Sequence, residues 1–264
     1  MRLRGSLSGT MLLLSYAVFC ALLLPAGLWG QTNCEEGNGA LDSGPPKTMS
    51  AEEVIQKFGA AEAVTKEARL HYTYTQDVLV QTLSGQSVTG EFHEVTTVSY
   101  DEKGKRQEQV TFAAQPSLRG VRLTQDDMED IRVFMPLMLP SEDLPQYKVT
   151  YNGQRHVDDL DTYEFQVEPK KEAKSKRYFQ GRIWVDAEDF QIVKVCGKSG
   201  PDQIRTGKHQ HSDLRPTFVT YRQQVDDRYW FPAYTRSDDT LQFKTGPAHL
   251  RETIKYSGYK RSGP

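Results

Sequence analysis

The spacing of apolar residues is helical near the start of the predicted folded region. Val54 and Phe58 are one helical turn apart, so their side chains lie on the same side of a helix. Ser50 precedes this run and Glu53 follows Ser50 by three residues, which is the pattern of a capping box. The pattern predicts one amphipathic helix that extends to about Ala68.

From Leu70 onward the pattern changes to the alternation of apolar and polar residues that is typical of β-strands. Short polar segments separate the runs, including a predicted turn at Asn152 and Gly153, and short turns favour antiparallel pairing. A second helix, capped by Thr124 and ended by Pro136, interrupts the strands. About ten strands or more with two helices predict an α+β domain built on a single large antiparallel sheet.

The clearest hairpin lies between residues 182 and 196. Residues 183–185 and 190–195 are rich in β-branched and aromatic side chains, and residues 186–189 join them as an acidic turn. Similar apolar runs and polar turns continue towards the C-terminus.

The first 30 residues have a different composition. Two arginines precede an apolar run from Met11 to Leu24, and Pro25 ends that run. A membrane-spanning helix needs about 20 apolar residues, so we interpret residues 1–30 as a cleaved signal peptide rather than as an anchor. We therefore expect a periplasmic or secreted protein.

The next segment, residues 31–48, contains several glycines and prolines and few apolar residues, which predicts a disordered leader. Residues 49–260 are predicted to form one domain, because a chain of this length is long enough for one large core. Without the two N-terminal arginines the chain has 31 basic and 35 acidic residues. This mildly acidic balance gives no electrostatic argument for binding nucleic acid.

Loss of the signal peptide leaves two cysteines, Cys34 and Cys196. They could form a disulfide in an oxidising compartment. Their positions in the sequence do not decide whether they meet.

Few residues are arranged as catalysis or metal binding would require. His209 and His211, with Asp213 close by, could ligate zinc, but they lie in a polar segment where histidines are usually solvated. No nucleophile elbow, phosphate-binding loop or cysteine–histidine pair occurs at a usable spacing. We therefore predict no metal site, no cofactor and no enzymatic activity.

The order of these elements resembles the bacterial outer-membrane lipoprotein-sorting superfamily, which includes the periplasmic Lol-type carriers and mycobacterial lipid-binding lipoproteins. The shared features are an N-terminal helix, a β-meander, a helix inserted between strands, and the hairpin with its Trp-Val-Asp-x-x-x-Phe-x-Ile-Val-Lys-Val sequence from Trp184 to Val195. The resemblance implies a curved, half-open β-barrel with helices covering its concave face.

The resemblance also implies an apolar hollow that holds acyl chains. The lining residues would be the apolar side chains of the strands: Tyr72, Tyr74, Phe92, Tyr163, Phe165, Trp184, Phe190 and Ile192. Residues 131–139, here called the lid, would cover the hollow with adaptable apolar side chains: Ile131, Phe134, Met135, Leu137, Met138 and Leu139. Each of these residues could equally belong to an ordinary core beneath the helices.

On this basis we expect a monomeric binding protein whose partner is a lipid or a lipidated protein, and whose role could include transport to the outer membrane. The alternative is an envelope interaction module of the same fold, in which the hollow is filled by the protein's own helices and the partner is an envelope protein. A hydrolase acting on envelope lipids is a weaker third possibility.

Overall fold

The computed structural model describes residues 31–171, 177–200, 215–243 and 246–262. The predicted signal peptide lies outside these residues. The two α-helices and ten strands of the described chain are α1 Ala51–Arg69, β1 Tyr72–Ser84, β2 Ser87–Tyr100, β3 Arg106–Ala113, α2 Gln125–Glu129, β4 Tyr147–Val157, β5 Leu160–Pro169, β6 Tyr178–Asp186, β7 Ile192–Gly200, β8 Phe218–Val225, β9 Tyr229–Phe243 and β10 Gly246–Arg261. A π-helical turn, Asp130–Phe134, continues α2, and a short 3₁₀-helix, Leu144–Gln146, precedes β4.

All ten strands form one antiparallel sheet in the order β3-β2-β1-β10-β9-β8-β7-β6-β5-β4. The sheet is open, with β3 and β4 at its two edges, so the predicted fold class is confirmed. Because β3 and β4 are consecutive in the chain but lie at opposite edges, residues 114–146 must cross the whole sheet. Nine spacings between strands amount to about 43 Å. This crossing carries α2 and the lid.

Helix α1 begins as the sequence predicts. The Ser50 side chain accepts a hydrogen bond from the Glu53 amide, and the Glu53 carboxylate accepts one from the Ser50 amide. Val54 and Phe58 are fully buried, and the Phe58 ring lies 5.6 Å from that of Phe165 on β5. The helix therefore packs against one face of the sheet, which we call the inner face. Among the described residues, no helix combines the length and the apolar character that crossing a membrane requires.

The opposite, outer face carries a smaller apolar cluster of Val157, Trp184, Val193, Cys196 and Val219. Neighbouring residues of a strand point to opposite faces. Accordingly, Val195 belongs to the inner core and Cys196 to the outer cluster.

Residues 31–48 were predicted to be a disordered leader, and the structure corrects this prediction. Residues 31–42, here called the strap, lie on the outer face, where Cys34 forms a disulfide with Cys196 and backbone bridges join Asn38 to Val157 and Asp42 to β4. The segment suggested disorder because it contains several glycines and prolines and few apolar residues. The strap is nevertheless ordered, because it contacts strands that are distant in the sequence.

The predicted turn at Asn152 and Gly153 is also corrected. These residues lie inside β4, where the pairing with β5 shifts between Tyr151 and Gly153. Gly153 has a φ of 154°, and a Cβ atom there would lie 2.4 Å from the carbonyl oxygen of Asp42. The glycine is therefore needed because the strap backbone passes directly over it.

Candidate functional site

Most of the predicted lining residues lie on the inner face. Tyr74, Tyr163, Phe165 and Ile192 are buried in the largest core cluster, and Phe92 and Phe190 pack against it while partly buried. Phe190 is in the turn before β7 rather than in the strand, with a φ of 59°, and its ring stacks on Tyr163. The fold therefore brings six of the eight predicted lining residues together on the inner face.

Two of the predicted lining residues lie elsewhere. Tyr72 belongs to a separate inner cluster with Tyr229 and Phe231. Trp184 is fully buried on the outer face, beneath the strap, so it does not line the inner face. The whole run from Ile183 to Val185 is apolar, so alternation could not indicate which side chain faces inward.

The lid lies against the same apolar face. Ile131, Met135, Leu137 and Leu139 are at most 6% exposed and share the core cluster that contains α1 and the inner side chains of the sheet. The other two predicted lid residues differ, because Met138 packs on the cluster around Tyr72 and Phe134 is only half-buried. The lid and α1 thus cover the inner face in this structure.

A fully buried ion pair positions the C-terminal part of the lid. Arg222 on β8 donates to both carboxylate oxygens of Glu62 on α1, at 2.7 and 3.0 Å. Glu62 also accepts from the Leu139 amide at 3.1 Å, and Arg222 donates to the Leu137 carbonyl. Removing one partner of such a pair would leave an unpaired buried charge. The lid backbone is therefore tied to both the sheet and α1.

Two further contacts fix the middle of the lid. The Thr220 hydroxyl on β8 donates to the Met135 carbonyl at 2.6 Å. At the edge of the sheet, Glu108 accepts from Arg132 of the lid at 2.8 Å and from Arg106 at 2.7 Å. The lid is thus attached to the sheet at β3 and at β8.

A group of buried carboxyls lies where α2 leads into the lid. Asp130 accepts from the Ser199 hydroxyl at 2.8 Å and pairs with Arg177, yet burial raises its pKa to about 6. Glu252 on β10 is buried and forms no ion pair with another described residue, and burial, together with the charges of Asp127 and Asp130, raises its pKa to about 8. This end of the inner face therefore contains several acidic side chains close together.

Sequence reasoning did not identify Arg222, although β8 carries a signal for it. Phe218, Thr220 and Arg222 alternate with Val219 and Tyr221 along the strand. Because Phe218 faces the inner core, Arg222, four positions later on the same strand, faces it as well. An arginine at such a position predicts a buried carboxylate partner, which here is supplied by α1.

The described residues contain no group of three or more histidine, cysteine or acidic side chains that could hold a metal ion. The segment with His209, His211 and Asp213 lies outside them.

No family model and no curated protein matches the sequence. Among solved structures, the chain is similar to a LolA superfamily protein from Nitrosomonas europaea, at 13% identity and a TM-score of 0.35, over 82% of this chain and 96% of that chain. It is also similar to an outer membrane lipoprotein-sorting protein domain from Vibrio parahaemolyticus, at 12% identity and a TM-score of 0.34, over 77% and 92%. A third similarity is to one chain in the structure of the MucA/MucB complex of Pseudomonas aeruginosa, at 11% identity and a TM-score of 0.23, over 81% of this chain and 99% of that chain.

Proposed function

We propose that the protein is a periplasmic or secreted binding protein that holds the acyl chains of a lipid or lipoprotein on the inner face of its sheet. In the absence of ligand, the lid occupies that place. The observation that supports this most is that four lid side chains are buried on the sheet, whereas Thr220 and Arg222 contact the lid through the main-chain carbonyls of Met135 and Leu137. The lid side chain of Arg132 bonds to Glu108 at the edge of the sheet. Contacts to main-chain atoms do not depend on lid side chains and can be released together.

Burial of the lid side chains and burial of an acyl chain on the inner face contribute comparable free energies. Burial of one large apolar side chain contributes about 1.5–3 kcal/mol, so the four buried lid side chains contribute roughly 6–12 kcal/mol. Each buried methylene of an acyl chain contributes about 0.8 kcal/mol, so a chain of about 16 carbons contributes roughly 13 kcal/mol. One or two acyl chains could therefore displace the lid without specific polar contacts.

One observation favours a second candidate function. The inner side chains proposed to contact acyl chains are already covered by α1 and the lid; Phe165 and Ile192, for example, are fully buried. A permanently filled inner face would make the protein an interaction module, whose partner is an envelope protein bound to its outside.

Uptake of a fluorescent fatty acid by delipidated protein distinguishes the acyl-binding protein from the interaction module. We expect the wild-type protein to bind the probe and Thr220→Val to bind it about tenfold more tightly. The substitution leaves the buried Met135 carbonyl without its donor, which weakens the closed lid by about 1–3 kcal/mol, and loss of a competing closed state raises apparent affinity.

Thr111→Val is the matched control. It removes a similar hydroxyl-to-carbonyl hydrogen bond, from the edge strand β3 to Val95 on β2, and should leave probe binding unchanged. Absence of probe binding by both the wild type and Thr220→Val would contradict the proposal and favour the interaction module.

A further inference from the structure

A cluster of polar and aromatic side chains on the inner face contains more hydrogen-bond donors than acceptors. It lies where the C-terminal end of α1 meets β1, β2, β3 and β10. Its members are Arg69, Tyr74, Gln76, Tyr100, Arg106, Tyr256 and Tyr259. We call it the arginine–tyrosine cluster.

Arg69, the last residue of α1, has no carboxylate partner within the described chain. Its Nε and Nη1 atoms are buried and make no hydrogen bond. The groups whose charges act most on it are the hydroxyls of Tyr100, Tyr74 and Tyr259 and the guanidinium of Arg106. A buried guanidinium in such surroundings is costly unless something supplies an acceptor.

The neighbouring arginine does not resolve this imbalance. Arg106 donates to the Tyr74 hydroxyl at 2.7 Å, to the Gln76 side-chain oxygen at 2.6 Å and to Glu108 at 2.7 Å. The Gln76 amide nitrogen is then left buried without an acceptor. Glu108 is also shared with Arg132 of the lid. Arg106 and Arg132 thus share one carboxylate, and Arg69 has none within the described chain.

The titration of a nearby tyrosine reflects the same excess of positive charge. Burial alone raises the pKa of the Tyr100 hydroxyl, but the Arg69 charge, a hydrogen bond with Tyr74 and the Arg106 charge lower it, and its pKa lies below the ordinary value. Burial raises the pKa values of Tyr74, Tyr256 and Tyr259, so Tyr100 is the tyrosine of the cluster on which the two arginine charges outweigh burial. Tyr100 and Arg106 are only partly buried, so the cluster is open to solvent on this side.

We propose that the arginine–tyrosine cluster binds an anionic oxygen group, a phosphate or a carboxylate, as the head group of the amphiphile whose acyl chain takes the place of the lid. This inference rests on the proposed function and adds the chemical class of the ligand. The anion would accept from Arg69 and Gln76, the two side chains with unpaired buried donors.

The site adjoins the lid at Glu108. Arg106 of the cluster and Arg132 of the lid both donate to the Glu108 carboxylate. The proposed head-group site therefore lies beside the point where the lid is held to β3.

Binding of two amphiphiles with the same chain tests this inference. The probes are dodecyl phosphate and the neutral monododecanoyl glycerol, each measured by displacement of a fluorescent fatty acid. We expect the wild type to bind dodecyl phosphate at least about tenfold more tightly, which is the usual effect of charge-assisted hydrogen bonds. Arg69→Met should abolish this preference and leave the affinity for the neutral probe unchanged.

Lys66→Met is the matched control, because Lys66 is in the same last turn of α1 but is exposed and pairs with Glu142. It should keep the full preference for dodecyl phosphate. Arg69→Lys, which keeps a positive charge but loses the guanidinium fork, should keep part of it and serves as the second variant if Arg69→Met folds poorly.

The outcomes separate this inference from the proposed function. Equal affinity of the wild type for the two amphiphiles, or a preference that Arg69→Met does not change, would overturn the anion site while leaving acyl binding intact. Failure of both amphiphiles to bind would overturn the proposed function. In that case the anion site is tested alone, by thermal unfolding with and without orthophosphate. A Tm that orthophosphate raises for the wild type but not for Arg69→Met supports the site, and an unchanged Tm for both proteins overturns it.

Discussion

Replacing Cys34 and Cys196 together by serine is expected to lower the free energy of unfolding by about 4–5 kcal/mol. The disulfide joins residues 162 positions apart. A cross-link that closes so long a loop removes much conformational freedom from the unfolded chain and so stabilises the folded one. Urea unfolding followed by circular dichroism measures the change.

The contacts of the strap make this loss larger than the covalent bond alone suggests. Lys194 is buried between the rings of Trp184 and Tyr221, and its ammonium donates to the carbonyls of Cys34 and Glu36 at 3.1 and 2.6 Å. Burial lowers the pKa of Lys194 to about 8. If the strap detaches, the ammonium must find other acceptors, and the apolar outer cluster is exposed to water.

The ion pair between Glu36 of the strap and Arg236 provides the control. Both side chains are partly exposed, and such pairs contribute at most about 1 kcal/mol, so Glu36→Gln should change stability little. Treating the wild type with a reductant should reproduce the effect of the double serine variant. A double variant within about 1 kcal/mol of the wild type would show that the disulfide does not hold the strap.

The features that could be predicted from the sequence are those set by neighbouring residues. Ser50 and Glu53 form their capping box within one helical turn, and the hairpin of β6 and β7 needs only two apolar runs and an acidic turn. The open antiparallel sheet follows from a series of such hairpins. These signals are local, so a single sequence contains them.

The features that were missed depend on contacts between distant residues. The order of the strap requires Cys196 and Lys194, about 160 positions away. The structural role of Gly153 is clear only once Asp42 is known to pass over it. The side chain of Trp184 faces the strap, which the sequence had suggested to be disordered. One missed contact, the docking of the strap, therefore accounts for three errors.

The candidate site was only partly predictable for a related reason. The sequence identified the apolar lid and most of the inner side chains, because apolar residues on alternating positions indicate a buried face. The polar residues that position the lid, Glu62 and Arg222, are 160 positions apart. Neither residue has a partner that is close in sequence, so neither was recognisable as part of a pair.

The stability of the protein should fall between about pH 5 and pH 8, and Glu252→Gln should remove most of this fall. Burial and the charges of Asp127 and Asp130 raise the pKa of Glu252 to about 8 from an ordinary value of 4.5. The folded protein then binds a proton that the unfolded chain releases. The stabilising contribution is complete below pH 4.5 and is lost as the pH rises towards 8.

The magnitude follows from the size of the shift. Each unit of pKa shift corresponds to about 1.36 kcal/mol, so the full shift from 4.5 to about 8 contributes roughly 5 kcal/mol. Asp130, with a pKa of about 6, adds a smaller loss between about pH 4 and pH 6. Glu35 does not contribute in this range: partial burial raises its pKa, but Arg155 and Arg182 lower it to about 2, so its stabilising effect is lost only in more acidic solution.

Urea unfolding of the wild type and Glu252→Gln at pH 5, 6, 7 and 8 measures the effect. We expect similar stabilities at pH 5 and a more stable variant at pH 8, because glutamine stays neutral. Glu142→Gln, at an exposed site paired with Lys66, should follow the wild type at every pH. A wild type with constant stability from pH 5 to pH 8 would contradict the prediction.

Because Asp127 and Asp130 lie in the segment that leads into the lid, ionisation of Glu252 repels that segment. Probe uptake should therefore increase from pH 5 to pH 8 in the wild type and change less in Glu252→Gln.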